Sequence, residues 1–164
     1  MKIRPALDSD WPQLWSIIQP IVRDGETYAY DRTMSEQDAK HVWLAQPRRT
    51  FICVEGDQVL GTYYLKTNHA GGGDHVCNCG YMVSPVAQGK GVAGKLCAHS
   101  QYIAKQLGYL AMQFNFVVSS NEVAVRLWRK FGFDVVGTIP NAFNHPDLGY
   151  VDALVMYKQL EPGA

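Results

Sequence analysis

The chain has no surplus of charge of either sign. Fifteen Lys and Arg stand against fifteen Asp and Glu, giving a formal net charge of zero. Such a balance supplies no field to draw in nucleic acid or an anionic membrane surface, so neither is expected as a partner. Long hydrophobic runs are also missing, and none approaches the length of a bilayer span. The opening Met1-Lys2-Ile3-Arg4-Pro5 lacks the apolar block of a signal peptide, so a cytoplasmic location is expected. Cysteine is scarce. Cys53, Cys77, Cys79 and Cys97 form no Cys-x-x-Cys pair and lack the ligands of a zinc site, so free core thiols and no metal are expected. What remains is ordinary for a folded protein: 164 residues, 47% apolar and 18% charged, with no repeat or composition shift. One domain over residues 1–164 is the expectation.

Glycine is present where it counts. Val83-Ser84-Pro85-Val86-Ala87-Gln88-Gly89-Lys90-Gly91-Val92-Ala93-Gly94 follows an apolar strand and opens onto an amphipathic helix. Three glycines in six residues let the main chain approach a ligand closely. The helix start leaves N–H groups without internal partners at the positive end of its dipole. Together with Lys90 these features predict an anion site suited to a pyrophosphate.

Around that loop the periodicities predict an alternation of strands and helices. Lys2–Leu7 reads as a strand, followed by a helix carrying Trp11, Leu14, Trp15, Ile18 and Val22, capped by Asp8, Ser9 or Asp10. Pro20 is expected to disturb its last turns before Asp24-Gly25 ends it. An aromatic loop, Glu26–Asp31, leads to a second helix opened by Ser35 with Asp38 three residues on. Thr50–Glu55 and Val59–Thr67 read as a hairpin about Gly56-Asp57-Gln58, and Gly71-Gly72-Gly73 as a turn. In the strand Val76–Val83, alternation puts Val76, Asn78, Gly80 and Met82 on one face and the cysteines, Tyr81 and Val83 on the other. The helix after the glycine loop ends at Gly108, and Tyr109–Val118 is a strand with Leu110, Met112, Phe114, Phe116 and Val118 on one face. A short helix capped by Ser119, Ser120 or Asn121 and stopped by Gly132 precedes two strands, Phe133–Ile139 and Tyr150–Tyr157, with a loop at Pro140 and Pro146 between them. The unit Val76–Val118 is expected to form a right-handed βαβ crossover with its strands parallel, placing the glycine loop at the carboxyl end of its strand.

Gln88-Gly89-Lys90-Gly91-Val92-Ala93 resembles the Gln/Arg-x-x-Gly-x-Gly/Ala signature of the GCN5-related N-acetyltransferases. Asn121-x-x-Ala124-x-x-Leu127-Trp128-x-x-Phe131-Gly132-Phe133 is similar to their second hallmark. The two stand in the family's order, and the order of elements matches along nearly the whole chain. The resemblance implies the family's α/β (α+β) fold: a mixed central sheet with a splayed parallel strand pair and helices on both faces. Phe114–Asn121 and Pro140–Pro146 look in particular like the yeast N-acetyltransferases that detoxify azetidine-2-carboxylate, and their bacterial relatives.

The resemblance further implies acetyl-CoA as donor, with its pyrophosphate on the backbone of Gln88 to Gly94 and its pantetheine against Met82 and Val83. A backbone N–H at Met82 or Val83 would polarise the thioester carbonyl. Many relatives place an acidic tyrosine one residue after the position of Leu127, where this chain has Trp128. Indole cannot act as that acid, so Asn121, or a water it holds, becomes the candidate to stabilise the leaving thiolate. Asn78 and Asn115 are polar residues inside apolar strands, where asparagine is disfavoured and a buried amide must find partners. Gly80 beside Asn78 is expected to leave room for a ligand. By resemblance to the azetidine-carboxylate enzymes, Asn78 binds substrate and Asn115 both binds it and assists catalysis. Glu26 is the first candidate general base, ahead of Asp152 and His75, and Tyr28 and Tyr30 are candidate walls of the acceptor pocket. The function expected is direct acetyl transfer to a small amine, such as a proline-like imino acid or an amino-acid analogue, by a homodimeric enzyme. A peptide or protein N-acetyltransferase, and a CoA-binding sensor without catalysis, are the alternatives.

Overall fold

The computed structural model describes residues 1–161, so the domain expected over 1–164 extends three residues beyond them. Seven strands form one sheet in the order β1-β2-β3-β4-β5-β7-β6. They are β1 (Lys2–Pro5), β2 (Arg49–Glu55), β3 (Gln58–Thr67), β4 (Val76–Val83), β5 (Ala111–Val118), β6 (Asp134–His145) and β7 (Gly149–Gln159). The helices are α1 (Trp11–Asp24), α2 (Glu36–Lys40), α3 (Val92–Gln106) and α4 (Glu122–Lys130). No helix among the described residues is long and apolar enough to cross a membrane.

Strand alternation divides the interior in two, as the sequence pattern predicts. Leu60, Cys77, Cys79 and Met112 pack beneath α3 and α4. Ile52, Tyr64 and Met82 face the other way, against Leu14 and Ile18 of α1 and Trp43. Helices therefore cover both faces. All four cysteines are free and buried.

Several elements depart from expectation for local reasons. Pro20 does not disturb the end of α1, which runs on to Asp24. The proline is exposed, so the Ser16 carbonyl that loses its helical partner can turn to water. Asp10 makes no side-chain cap bond. Its carboxylate accepts instead from Arg4 at 2.8 Å and from the Leu7 N–H at 2.7 Å, and the Arg4 bond holds the carboxyl below its ordinary range. The loop expected at Pro140 is a continuation of β6. β6 is an edge strand, where a missing N–H costs no ladder bond. A bulge between Ile139 and Phe143 absorbs Asn141 at φ 52°, whose N–H donates to Asp152 Oδ1 at 3.0 Å. In β5 a second irregularity between Phe114 and Val117 shifts the alternation. Val117 is thereby buried, while Leu110, just before the strand, is exposed.

The feature that positions the site lies between β4 and β5. They pair in parallel at Val76 with Ala111 and at Cys77 with Met112, and the ladder stops there. Beyond that rung the strands diverge, which is the expected splay. Asn78 bridges the start of the gap, its Nδ2 donating to the Gln113 carbonyl at 2.9 Å. A side-chain rung thus follows the last main-chain one.

Candidate active site

Strand chemistry fixes which groups face the gap. The Val76 carbonyl accepts from the Asn68 N–H, and the Ser84 N–H donates to the Leu60 carbonyl, so even-numbered β4 residues direct their backbone toward β3. The odd-numbered Cys79, Tyr81 and Val83 therefore present theirs toward β5. Of the two pantetheine candidates, Val83 turns its N–H into the gap, while Met82 turns its own into the sheet and buries its side chain under α1. The Tyr81 backbone is taken up within the chain. Tyr28 Oη donates to the Tyr81 carbonyl at 2.6 Å and accepts from the Tyr81 N–H at 2.8 Å. Tyr28 thus occupies the position of a pairing strand.

The gap opens into a cleft of about 610 Å³. Glu26, Tyr28, Tyr30, Asn78, Asn115 and Asn121 all line it. At its other end Gln88 and Ala93 bring in the glycine loop. His75 and Asp152 lie outside it, and Asp152 is engaged with the β6 bulge.

The glycine loop meets the requirements of an anion cradle. Gly91 has φ 74°, a left-handed conformation that favours glycine, and a Cβ built there meets nothing within 4 Å. The first bond of α3 is Lys95 N–H to the Gly91 carbonyl at 3.1 Å. The N–H groups of Val92, Ala93 and Gly94 thus remain as donors at the helix start. Lys90 is exposed beside them, whereas the Val92 side chain is buried in the core. A Cβ at Gly94 would lie 3.4 Å from the Phe131 ring, so helix packing also bears on that glycine.

Asn121 caps α4, its Oδ1 accepting from the Ala124 N–H at 3.3 Å. Its Nδ2 stays available to the cleft. Trp128, in place of the acidic tyrosine, is buried against Tyr81 and Phe114 with ring centroids 4.9 and 5.1 Å away. Burial raises the phenols of Tyr28, Tyr64 and Tyr81 well above their ordinary value. Their hydroxyls are taken up within the chain: Tyr28 Oη donates to the Tyr81 carbonyl, Tyr64 Oη to Asn78 Oδ1, and Tyr81 Oη pairs with Ser100 Oγ.

Two expectations about the acceptor side change. The space at Gly80 is not left for a ligand, because the Tyr64 ring fills it. A Cβ there would lie 2.5 Å from Tyr64 Cε1 and 2.8 Å from Cζ. Tyr64 cannot retreat easily, since it is buried edge-on to Trp43 at 4.9 Å. Gly80→Ala is therefore expected to cost about 1–3 kcal/mol by overpacking, lowering Tm by several degrees; an unchanged calorimetric midpoint would refute this account of the glycine. Asn78 is buried as foreseen, and its Oδ1 accepts a long bond of 3.4 Å from Tyr64 Oη. Asn115 is exposed rather than buried, and its Nδ2 donates to Asn68 Oδ1 at 2.7 Å while its Oδ1 accepts from Gln113 Nε2 at 3.0 Å. Tyr64, Tyr81 and Lys66 also line the cleft, and sequence reasoning passed over all three as sites. Lys66 meets Asn78 only through the β3–β4 register, which no local signal in the sequence sets.

The family model described as the acetyltransferase (GNAT) family matches residues 11–133. The chain belongs to the GNAT family of acetyltransferases. It is 30% identical over 150 residues to the N-acetyltransferase aca1 of Schizosaccharomyces pombe, covering 80% of this chain and 71% of that protein. A GCN5-related N-acetyltransferase from Kribbella flavida is 42% identical in sequence and superposes with a TM-score of 0.93 over 97% of both chains. The fold is shared with yncA of Salmonella typhimurium, whose structure contains its cofactor acetyl-CoA (TM-score 0.82, 23% identity, 100% of this chain and 96% of that one). In this GNAT domain the splayed pair is β4–β5, and both signature motifs border its gap.

Proposed function

We propose that the protein moves an acetyl group from acetyl-CoA directly to the amine of a small molecule, an amino-acid analogue or proline-like imino acid being the acceptor class. One observation carries the reading: a single cleft joins the glycine loop to an aromatic wall through the β4–β5 gap. The donor N–H groups of Val92 to Gly94 hold the pyrophosphate, and Gln88 and Lys90 flank it. Cys79 and Val83 offer backbone to the pantetheine, and the Val83 N–H is placed to polarise the thioester carbonyl. Acetyl-CoA supplies the activated thioester. The amine nitrogen bonds to the acetyl carbon, the carbon–sulfur bond breaks, and the proton lost by nitrogen ends on the CoA thiol. Glu26, exposed at the cleft wall, relays that proton, and Asn115 orients the amine. Asn121 donates to the departing thiolate, which needs a hydrogen bond rather than a strong acid because it leaves as a weak base.

Tyr28 and Tyr30 stack at 5.5 Å with only 4° between their planes. They form a rigid wall suited to a small, partly apolar acceptor better than to a polymer. Acceptance of an azetidine-2-carboxylate-like imino acid rests on the likeness at Phe114–Asn121 and Pro140–Pro146 and on Asn78 and Asn115 sharing the cleft. A homodimer is favoured by the exposed apolar side chains Val136, Ile139, Leu148 and Tyr150 on the β6–β7 hairpin, and a cytoplasmic setting by the free thiols.

The test is release of CoA thiol from acetyl-CoA with a panel of amino and imino acids beside short peptides. Turnover with small amines and not with peptides is expected. Peptide-only turnover would move the assignment to a protein N-acetyltransferase, and acetyl-CoA binding without turnover on any amine would make the protein a sensor.

A further inference from the structure

We infer that Lys66 is the specificity-determining anchor for a carboxylate on the acceptor, so that the enzyme selects amino acids over amines that lack an acid group. The inference deepens the small-amine reading and rests on it. Lys66 is half-buried, and its Nζ lies 5.3 Å above the Tyr64 ring. It is the only basic side chain lining the cleft among the described residues, and none of their ion pairs includes it. Asp24 and Glu26 line the cleft from the α1 side. A partly desolvated ammonium with an aromatic face beneath it and no carboxylate beside it is set up to take an anion from outside.

Its neighbours fit a carboxylate. Lys66 pairs with Asn78 across the β3–β4 ladder, and on β3 it shares a face with Tyr64. Asn68, two residues on, receives the Asn115 amide at 2.7 Å. Asn115 lines the cleft with Lys66, and the second N–H of its amide can donate to a carboxylate oxygen that Lys66 neutralises, while Asn68 holds that amide from outside the lining. An acceptor held there by its carboxylate keeps its amine within a few bonds of the anchor, as an α-amino or α-imino acid does. Glu26 also lines the cleft and is left to the amine end. A cleft lined by two acids and one base that is not in an ion pair with them matches a zwitterion.

The experiment compares acids with their carboxamides. The proteinogenic amino acids and azetidine-2-carboxylate are each assayed beside the matching amide, with the wild type, Lys66→Met and Lys66→Arg. The wild type is expected to prefer acid over amide. Lys66→Met should raise the acceptor KM for the acids by about 10- to 100-fold, with kcat, amide turnover and acetyl-CoA affinity little changed. Lys66→Arg should recover most of the loss. Equal use of acids and amides by the wild type, or an acid-to-amide ratio that Lys66→Met does not alter, overturns the anchor while leaving a small-amine transferase in place. Failure of every amine with acetyl-CoA still bound removes both readings.

Discussion

Gly91→Glu is expected to lower acetyl-CoA affinity by more than about 100-fold while the domain stays folded. Two effects act together. The added carboxylate stands where the helix dipole and the free N–H groups would meet a pyrophosphate, so like charges repel and the donors are screened from their ligand. The backbone also resists, because residues with a Cβ rarely adopt φ 74°, a penalty of roughly 1–2 kcal/mol. Gly91→Ala separates these. It carries the same backbone penalty, and since a Cβ there meets nothing within 4 Å, both variants should lose the same few degrees of Tm. Only the glutamate should lose binding outright, with alanine weaker than wild type but measurable. Calorimetry that finds wild-type affinity in Gly91→Glu would remove the phosphate cradle from this loop.

The geometry of the glycine loop was legible because its cause is local. Positive φ, a helix start and orphan donors all arise within the seven residues from Gln88 to Gly94, so composition and spacing suffice. The cap at Asn121 and the two-faced alternation of β4 are local too. The splay could be expected only through the family likeness, since nothing local says that a parallel ladder stops after Cys77. Contacts of high sequence separation were out of reach. Tyr28 reads as an aromatic in a loop, yet its hydroxyl occupies both backbone groups of Tyr81, 53 residues away. Gly80 reads as empty space, and the Tyr64 ring from the neighbouring strand fills it. At β6, Pro140 signals a loop by every local rule, and only the strand's place at the sheet edge reverses that reading. Asn78 and Asn115 looked alike in sequence for the same reason, because polarity within a strand does not say which side of the chain is covered.

Their difference in the structure yields the second large effect. Asn78→Ala is expected to cost about 1–3 kcal/mol, by leaving the buried Tyr64 hydroxyl and the Gln113 carbonyl without their partner. For a domain of this size that lowers Tm by about 3–10 °C. Asn115→Ala removes bonds only to exposed or half-buried amides, so its Tm should stay within about 1 °C of wild type. Turnover should divide the other way. Asn115→Ala is expected to lower acceptor kcat/KM by about 10-fold or more, because its exposed amide lines the cleft where the acceptor is proposed to bind. Asn78→Ala, assayed well below its midpoint, should also lose turnover, since the bridge to Gln113 sets the gap width at the rung where β4 and β5 part. Paired thermal and kinetic measurements decide the matter. Matching losses of stability in the two variants would make both asparagines parts of the sheet, and full activity in Asn115→Ala would take it out of the acceptor site.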